Sequence, residues 1–152
     1  MNHADSAPIS LRLLSHRPLE MAAWWSALLG ESPKPFGAKT TVVTSARLRV
    51  VIEGSQNALD YHPEACGVTA ITLVYGALED IRETVRRLGQ QNAHPYRATR
   101  QGGVTALWFH DPNGTDVALC RAVDDVHLEV NPDEWPEELD PDAVLADKQP
   151  PH

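Results

Sequence analysis

Cysteine is scarce in this sequence, and so are aromatic side chains, long apolar runs and any surplus of basic residues. Cys66 and Cys120, the two cysteines among 152 residues, are too few and too far apart for a disulfide framework or a paired-cysteine metal clamp. Reduced thiols in a reducing compartment are the expectation. The longest apolar stretches, such as the one around Val50 and Ile52, fall far short of the roughly 20 residues a membrane span requires. The opening MNHADSAP has no basic segment followed by an apolar run, so a cytoplasmic, unprocessed chain with no membrane partner is expected. The formal net charge is −8, and no basic stripe interleaved with aromatics is present. That excludes a nucleic-acid partner, because affinity for phosphate backbones rests on clustered Lys and Arg.

A hydrophobic content of 42% is enough for one compact domain and leaves no room for a second. The acidity is unevenly placed. Residues 1–121 carry 12 Lys or Arg against 11 Asp or Glu, whereas residues 122–152 carry one Lys against ten acids and five of the 12 prolines. The chain therefore reads as a flexible segment at 1–7, a domain at 8–121 and an acidic, Pro-rich tail at 122–152. The end of the tail has the composition of a disordered segment. Val126, Leu128, Val130, Trp135 and Leu139 give residues 123–140 apolar anchors with which to dock on the domain or on a partner subunit.

Within the domain one grammar occurs twice, in modules at about 8–57 and 67–121. Residues 9–15 alternate as a half-buried strand. Pro18 and Glu20 suit a helix N-terminus; Met21, Trp25, Leu28 and Leu29 recur at helical spacing, and Gly30 suits a left-handed cap. Breakers at Pro33, Pro35 and Gly37 make the next strand irregular, and strands at 40–44 and 47–53 follow. From Gly67 the pattern restarts: a strand at 68–75, a helix with Leu78, Ile81, Val85 and Leu88 on one face, then strands at 94–99, 104–109 and 116–121. Gly102-Gly103 and Asn113-Gly114 supply the turns. Leu29-Gly30 recurs as Leu88-Gly89, and the strand from Leu11 to Ser15 recurs as Ile71 to Tyr75 at nearly the same offset. An internal duplication follows, and with it an α+β domain of two βαβββ modules whose curved sheets pack helices on the convex side and face a cleft with the concave side.

The run from Trp108 to Leu119, Trp-Phe-His-Asp-Pro-Asn-Gly-Thr-Asp-Val-Ala-Leu, together with Trp24-Trp25 near the helix end, resembles the vicinal oxygen chelate superfamily of glyoxalases, bleomycin-resistance proteins and extradiol dioxygenases. Metal-using members hold a divalent cation with His, Glu or Gln from the first and last strands of each module. The resemblance places those positions at or near Ser10, Glu53, Ala70 and Ala118. Only Glu53 carries a donor, so neither metal nor other cofactor is expected. The resemblance also implies a small-molecule ligand and a homodimer.

Strand parity names the side chains that face the cleft instead: Ser10, Arg12 and Leu14; Arg47, Arg49, Val51 and Glu53; Ala70, Thr72 and Val74; and Asp116, Ala118 and Cys120. Arg12 needs a partner in a concave sheet, and Glu53, Asp116 or a ligand oxygen would serve, as a structural bridge or as an anchor for an anion. His110 has the chemistry of an acid or base near neutral pH, and Trp108 that of a cleft wall. His16 and His94 read as loop residues, Trp25 as core, and Asp-Pro-Asn-Gly as a turn. Two functions are consistent with this set. One is a metal-independent isomerase, lyase or cyclase acting on a polar or aromatic metabolite, with Arg12 or Arg49 stabilising negative charge and Glu53, Asp116 or His110 moving the proton. The other is a bleomycin-resistance-type protein that sequesters a drug or metabolite without turnover.

Overall fold

The alternating segment becomes strand β1 (Ser10–Ser15), whose Leu11 and Leu13 turn to the core while Ser10, Arg12 and Leu14 stay exposed on the other face. This computed structural model describes residues 9–62, 64–121 and 133–146. The expectations for residues 1–7, for Val126, Leu128 and Val130, and for the end of the tail lie outside the described residues. Helix α1 (Pro18–Leu29) starts with proline in its first turn and ends at Gly30, whose φ of 69° is left-handed. A Cβ at Gly30 would also come within 3.0 Å of the Arg87 guanidinium carbon, so both backbone conformation and neighbour favour glycine there.

The rest of the first module is β2 (Lys34–Pro35), β3 (Thr40–Thr44) and β4 (Arg49–Gly54). Module two repeats it as β5 (Ala70–Tyr75), α2 (Leu78–Gly89), β6 (Arg97–Gln101), β7 (Val104–His110) and β8 (Asp116–Arg121). The first sheet runs β1-β4-β3-β2 and the second β5-β8-β7-β6, extended by one strand of the tail. In both, the first strand lies parallel to the last and the other neighbours are antiparallel. A single offset superposes strand and helix alike, Ser10–Ser15 on Ala70–Tyr75 and Pro18–Leu29 on Leu78–Gly89. The match of Leu29-Gly30 to Leu88-Gly89 is therefore one position out. Gly89 is the last residue of α2, and the left-handed turn comes at Asn92, with φ 57°, where the Ala93 N–H donates back to the Leu88 carbonyl. Asparagine tolerates that conformation.

β6 begins later than the sequence suggests, at Arg97 rather than His94, since Pro95 has no N–H for a ladder. It ends in the Gly102-Gly103 turn, where φ is 57° and 79°, positive at both positions as a tight hairpin requires. The fourth strand likewise starts at Arg49, which leaves Arg47 in the preceding turn.

One apolar core joins the modules, with Met21, Trp25 and Leu28 of α1 and Ile81 and Leu88 of α2 packed on Val50, Ile52, Leu107, Phe109 and Val117 of the sheets. No helix among the described residues is long and apolar enough to cross a membrane. Two side chains clamp the module edges. The Asp111 carboxylate accepts the N–H groups of Asn113 and Thr115, each at 3.0 Å, and closes the Asp-Pro-Asn-Gly turn. From it Asn113 reaches β1: Nδ2 donates to the Leu14 carbonyl at 2.9 Å and Oδ1 accepts from the buried Ser15 hydroxyl at 2.7 Å. Arg47 answers from the other module, donating to the Val74 carbonyl and lying 4.7 Å from the Tyr75 ring centroid.

Past the second module the tail adds β9 (Glu137–Leu139), antiparallel to β6, and α3 (Pro141–Ala146). Leu139, Val144 and Leu145 pack on the core, Glu138 pairs with Arg97, and Arg82 donates to the Leu145 carbonyl at 2.7 Å. Of the tail anchors that are described, Leu139 docks on the chain's own domain and Trp135 is 92% exposed.

Asn113→Ala removes two inter-module hydrogen bonds and should cost about 1–3 kcal/mol. The thermal midpoint, measured by calorimetry, is expected to fall by about 3–8 °C; an unchanged midpoint refutes the clamp. Leu139→Asp places a charge against Ala98 and the core, so the β6 amides that face β9 should lose protection in hydrogen exchange while β5 and β8 keep theirs. Equal protection throughout would mean that β9 contributes nothing to that edge.

Candidate functional site

Because residues directly opposite in a sheet share a face, the register and the packing of the helices assign the two sheet faces turned away from the helices. On the first sheet Ser10 lies beside Arg49, Arg12 beside Val51 and Leu14 beside Glu53. Leu14 is 53% exposed and Val51 is buried. Arg12 Nη1 donates to Glu53 Oε1 at 2.5 Å, with the Arg12 side chain 71% exposed. Of the partners expected for Arg12 the structure supplies Glu53 and not Asp116. Exposure on this scale makes the pair a weak contributor to stability and leaves the outer guanidinium nitrogens available. Arg49 has no side-chain partner among the described residues. Arg47 lies apart from this face, at the seam between the modules.

On the second sheet Ala70 lies beside Asp116, Thr72 beside Ala118 and Val74 beside Cys120. Ala118 and Cys120 are 1% and 4% exposed and pack with Val104, Ala106 and Trp108, so they form the floor of this face rather than its contact surface. Burial pushes the Cys120 thiol up to about 11, which keeps it protonated and unreactive at neutral pH. Trp108 lies half-buried over that floor, and its indole N–H donates to Thr99 Oγ1 at 3.0 Å. Thr72 is exposed and Val74 half-buried.

Where β7 meets β8, His110 stands directly opposite Asp116, and its Nδ1 is 3.0 Å from Asp116 Oδ1. Tyr96, just before β6, donates its hydroxyl to the same Oδ1 at 2.7 Å and stacks on the imidazole with ring centroids 4.0 Å apart and planes 7° from parallel. The sequence identified His110 and Asp116 but not Tyr96. Its only signal there is a position beside a proline, because the contact depends on a register that brings His110 and Asp116 onto it from further along the chain. Burial first, and then the bond to Asp116, push the Tyr96 phenol up to about 12, so it remains a donor.

The other histidines lie elsewhere. His16 Nε2 is 2.7 Å from Asp60 Oδ1, which Arg17 also meets at 3.1 Å, and the hydrogen bond with His16 holds the Asp60 carboxyl below its usual range. His94 lies by the end of α2, near Gly89. A cavity of about 320 Å³ opens on the helix side of the sheets, between Leu28, Arg47, Leu73, Tyr75, Thr84 and Arg87. Its arginines have structural partners: Arg87 donates to the Ala27 and Leu28 carbonyls at the end of α1, and Arg47 holds Val74.

The positions at which the sequence resemblance implies metal ligands are Ser10, Glu53, Ala70 and Ala118. The two alanines have no donor atom, Glu53 is engaged by Arg12, and no group of three His, Cys, Asp or Glu side chains converges among the described residues. That set does not fit a divalent cation, which needs several N or O donors.

No protein-family model matches the sequence, and no curated protein does either. Solved structures do match. A glyoxylase/bleomycin resistance protein/dioxygenase domain from Frankia sp. EAN1pec aligns with a TM-score of 0.64 at 12% identity, over 79% of this chain and 93% of that one. A glyoxalase/bleomycin resistance protein/dioxygenase from Alicyclobacillus acidocaldarius gives 0.64 at 11%, over 85% and 100%. A lactoylglutathione lyase from Agrobacterium tumefaciens gives 0.56 at 14%, over 77% and 94%. With its two βαβββ modules and these alignments, the chain has the glyoxalase, bleomycin-resistance and dioxygenase fold.

Proposed function

We propose that the chain is a metal-independent enzyme of this fold, an isomerase, lyase or cyclase acting by acid and base chemistry on a small polar or aromatic metabolite held against the concave faces. One observation carries the reading: His110, half-exposed on the concave side, has Nδ1 on the Asp116 carboxylate and Nε2 without a partner among the described residues. A carboxylate oxygen 3.0 Å from Nδ1 favours the tautomer with its proton on that nitrogen and its lone pair on Nε2, which is how a histidine is arranged to take a proton from a bound molecule. Asp116 then stabilises the imidazolium that forms. Arg12 and Arg49 present guanidinium groups to negative charge developing on a substrate oxygen, and Glu53 orients Arg12. Ser10, Leu14, Thr72, Val74 and Trp108, over a floor that includes Val51, offer the mixed apolar and hydroxyl surface that a small polar or aromatic molecule requires. The donor-poor metal positions support a role for these side chains in place of a Lewis acid.

The open side of the first sheet, with the exposed Leu14 on its edge strand, further supports closure against a second copy. A homodimer is expected by light scattering at micromolar concentration, and a strict monomer removes that part of the reading.

Turnover of candidate metabolites, with ligand binding followed by calorimetry, tests the enzyme. His110→Asn is expected to lower kcat/KM by about 10²–10⁴-fold, and Arg12→Met to weaken binding, while chelation changes neither rate nor affinity. Tight binding without turnover, unaffected by His110→Asn, would instead mark a sequestering protein. Loss of function on chelation, restored by a divalent cation, would overturn the metal-independent reading.

A further inference from the structure

His110 lies at the exposed end of a strand, where an imidazole held by a single polar contact would exchange among rotamers and tautomers. Three contacts act against that. The Tyr96 ring covers one face of the imidazole almost in parallel, at 4.0 Å between centroids. The Tyr96 hydroxyl and His110 Nδ1 meet the same oxygen of Asp116, at 2.7 and 3.0 Å, which fixes the carboxylate from two directions. Tyr96 is itself anchored, because its N–H donates to the Trp108 carbonyl at 2.9 Å and Pro95 restricts the backbone before it.

We propose that Tyr96 is a positioning residue for the His110–Asp116 pair, whose ring sets the plane of the imidazole and whose hydroxyl sets the carboxylate, so that Nδ1 keeps the proton and Nε2 is the basic nitrogen. The inference rests on the reading of His110 as the group that moves a proton. It assigns Tyr96 no proton transfer of its own, since burial and Asp116 keep its phenol protonated up to about pH 12. The charged and titratable groups around the imidazole are Asp116 on β8, Tyr96 ahead of β6, and Arg97 next to Tyr96, which is paired with Glu138 of β9. Arg97 acts on the phenol in the opposite direction to Asp116. No metal or substrate is needed for the arrangement, so it can be measured on the protein alone.

The measurement is long-range proton–nitrogen correlation NMR on histidine-labelled full-length protein, which reads the tautomer of each imidazole directly. Wild-type His110 is expected as a single Nδ1–H tautomer with ordered ring signals. Tyr96→Leu, which removes both ring and hydroxyl, should give a tautomer mixture and averaged ring shifts. Tyr96→Phe, which keeps the stack, should fall between the two, and Asp116→Ala should abolish the Nδ1–H preference. Amide spectra that match wild type away from residues 94–118 show that each variant is folded. A wild-type Nε2–H tautomer, or a Tyr96→Leu spectrum with unchanged His110 shifts, overturns the proposal. Turnover separates it from the functional reading. If His110→Asn retains activity while the tautomer follows Tyr96, the positioning stands and the proton-transfer role fails. If His110→Asn abolishes activity and the tautomer ignores Tyr96, the reverse holds.

Discussion

Each module leaves the outward carbonyls of its first strand without a neighbour in the sheet, and the way these edges are paired governs the rest of the molecule. β1 and β5 are edge strands. Their carbonyls at Leu14 and Val74, equivalent positions in the duplication, are taken by Asn113 and Arg47, each from the turn that precedes the last strand of the other module. Both bonds lie where water could compete for the carbonyl, so each contributes modestly, about 0.5–1.5 kcal/mol, and what they add is one fixed alignment of the two edges. The two donors therefore hold the edges together in one arrangement. With the edges joined, α1 and α2 share a single core on the convex side, and Arg87 closes it by donating to the last carbonyls of α1.

That arrangement leaves the faces turned away from the helices open, and their side chains form two polar groups: Arg12 hydrogen-bonded to Glu53 on the first sheet, and Tyr96 hydrogen-bonded to Asp116, with His110 beside both, on the second. Both are suited to charge and proton handling. Alanine at position 118 is the counterpart, since a small side chain directly opposite Trp108 lets the indole lie close over the second sheet. Burial is what silences Cys120 on the same face.

The duplicated copies have diverged in compensating ways. With β1 laid on β5 and α1 on α2, Ser15 and Trp24 of the first module correspond to Tyr75 and Thr84 of the second, so the large ring moves from helix to strand while total volume is broadly kept. All four are buried. Volume-conserving exchange of this kind is what a close-packed core tolerates. The second helix, by contrast, needs a more polar outer face, and Glu83 meets both Arg86 and Arg87 along it.

Strand alternation, the apolar face of α2, the left-handed Gly30, the Gly-Gly hairpin and the Asp111 turn were legible in the sequence, because each depends on residues within a few positions of one another. The order of elements around that turn was enough to indicate the two-module fold. The parity that put Arg12 and Glu53 on one face of the first sheet, and Asp116, Ala118 and Cys120 on one face of the second, also came from local period. What pairs with what came from the tertiary structure: Arg12 with Glu53, Ser15 with Asn113, and Tyr96 with Asp116, all far apart along the chain. So did the removal of Arg47 from the concave face, the burial of Ala118 and Cys120, and the docking of β9 on β6. These depend on sheet register and on how two modules meet, and the local periods of strand and helix carry neither.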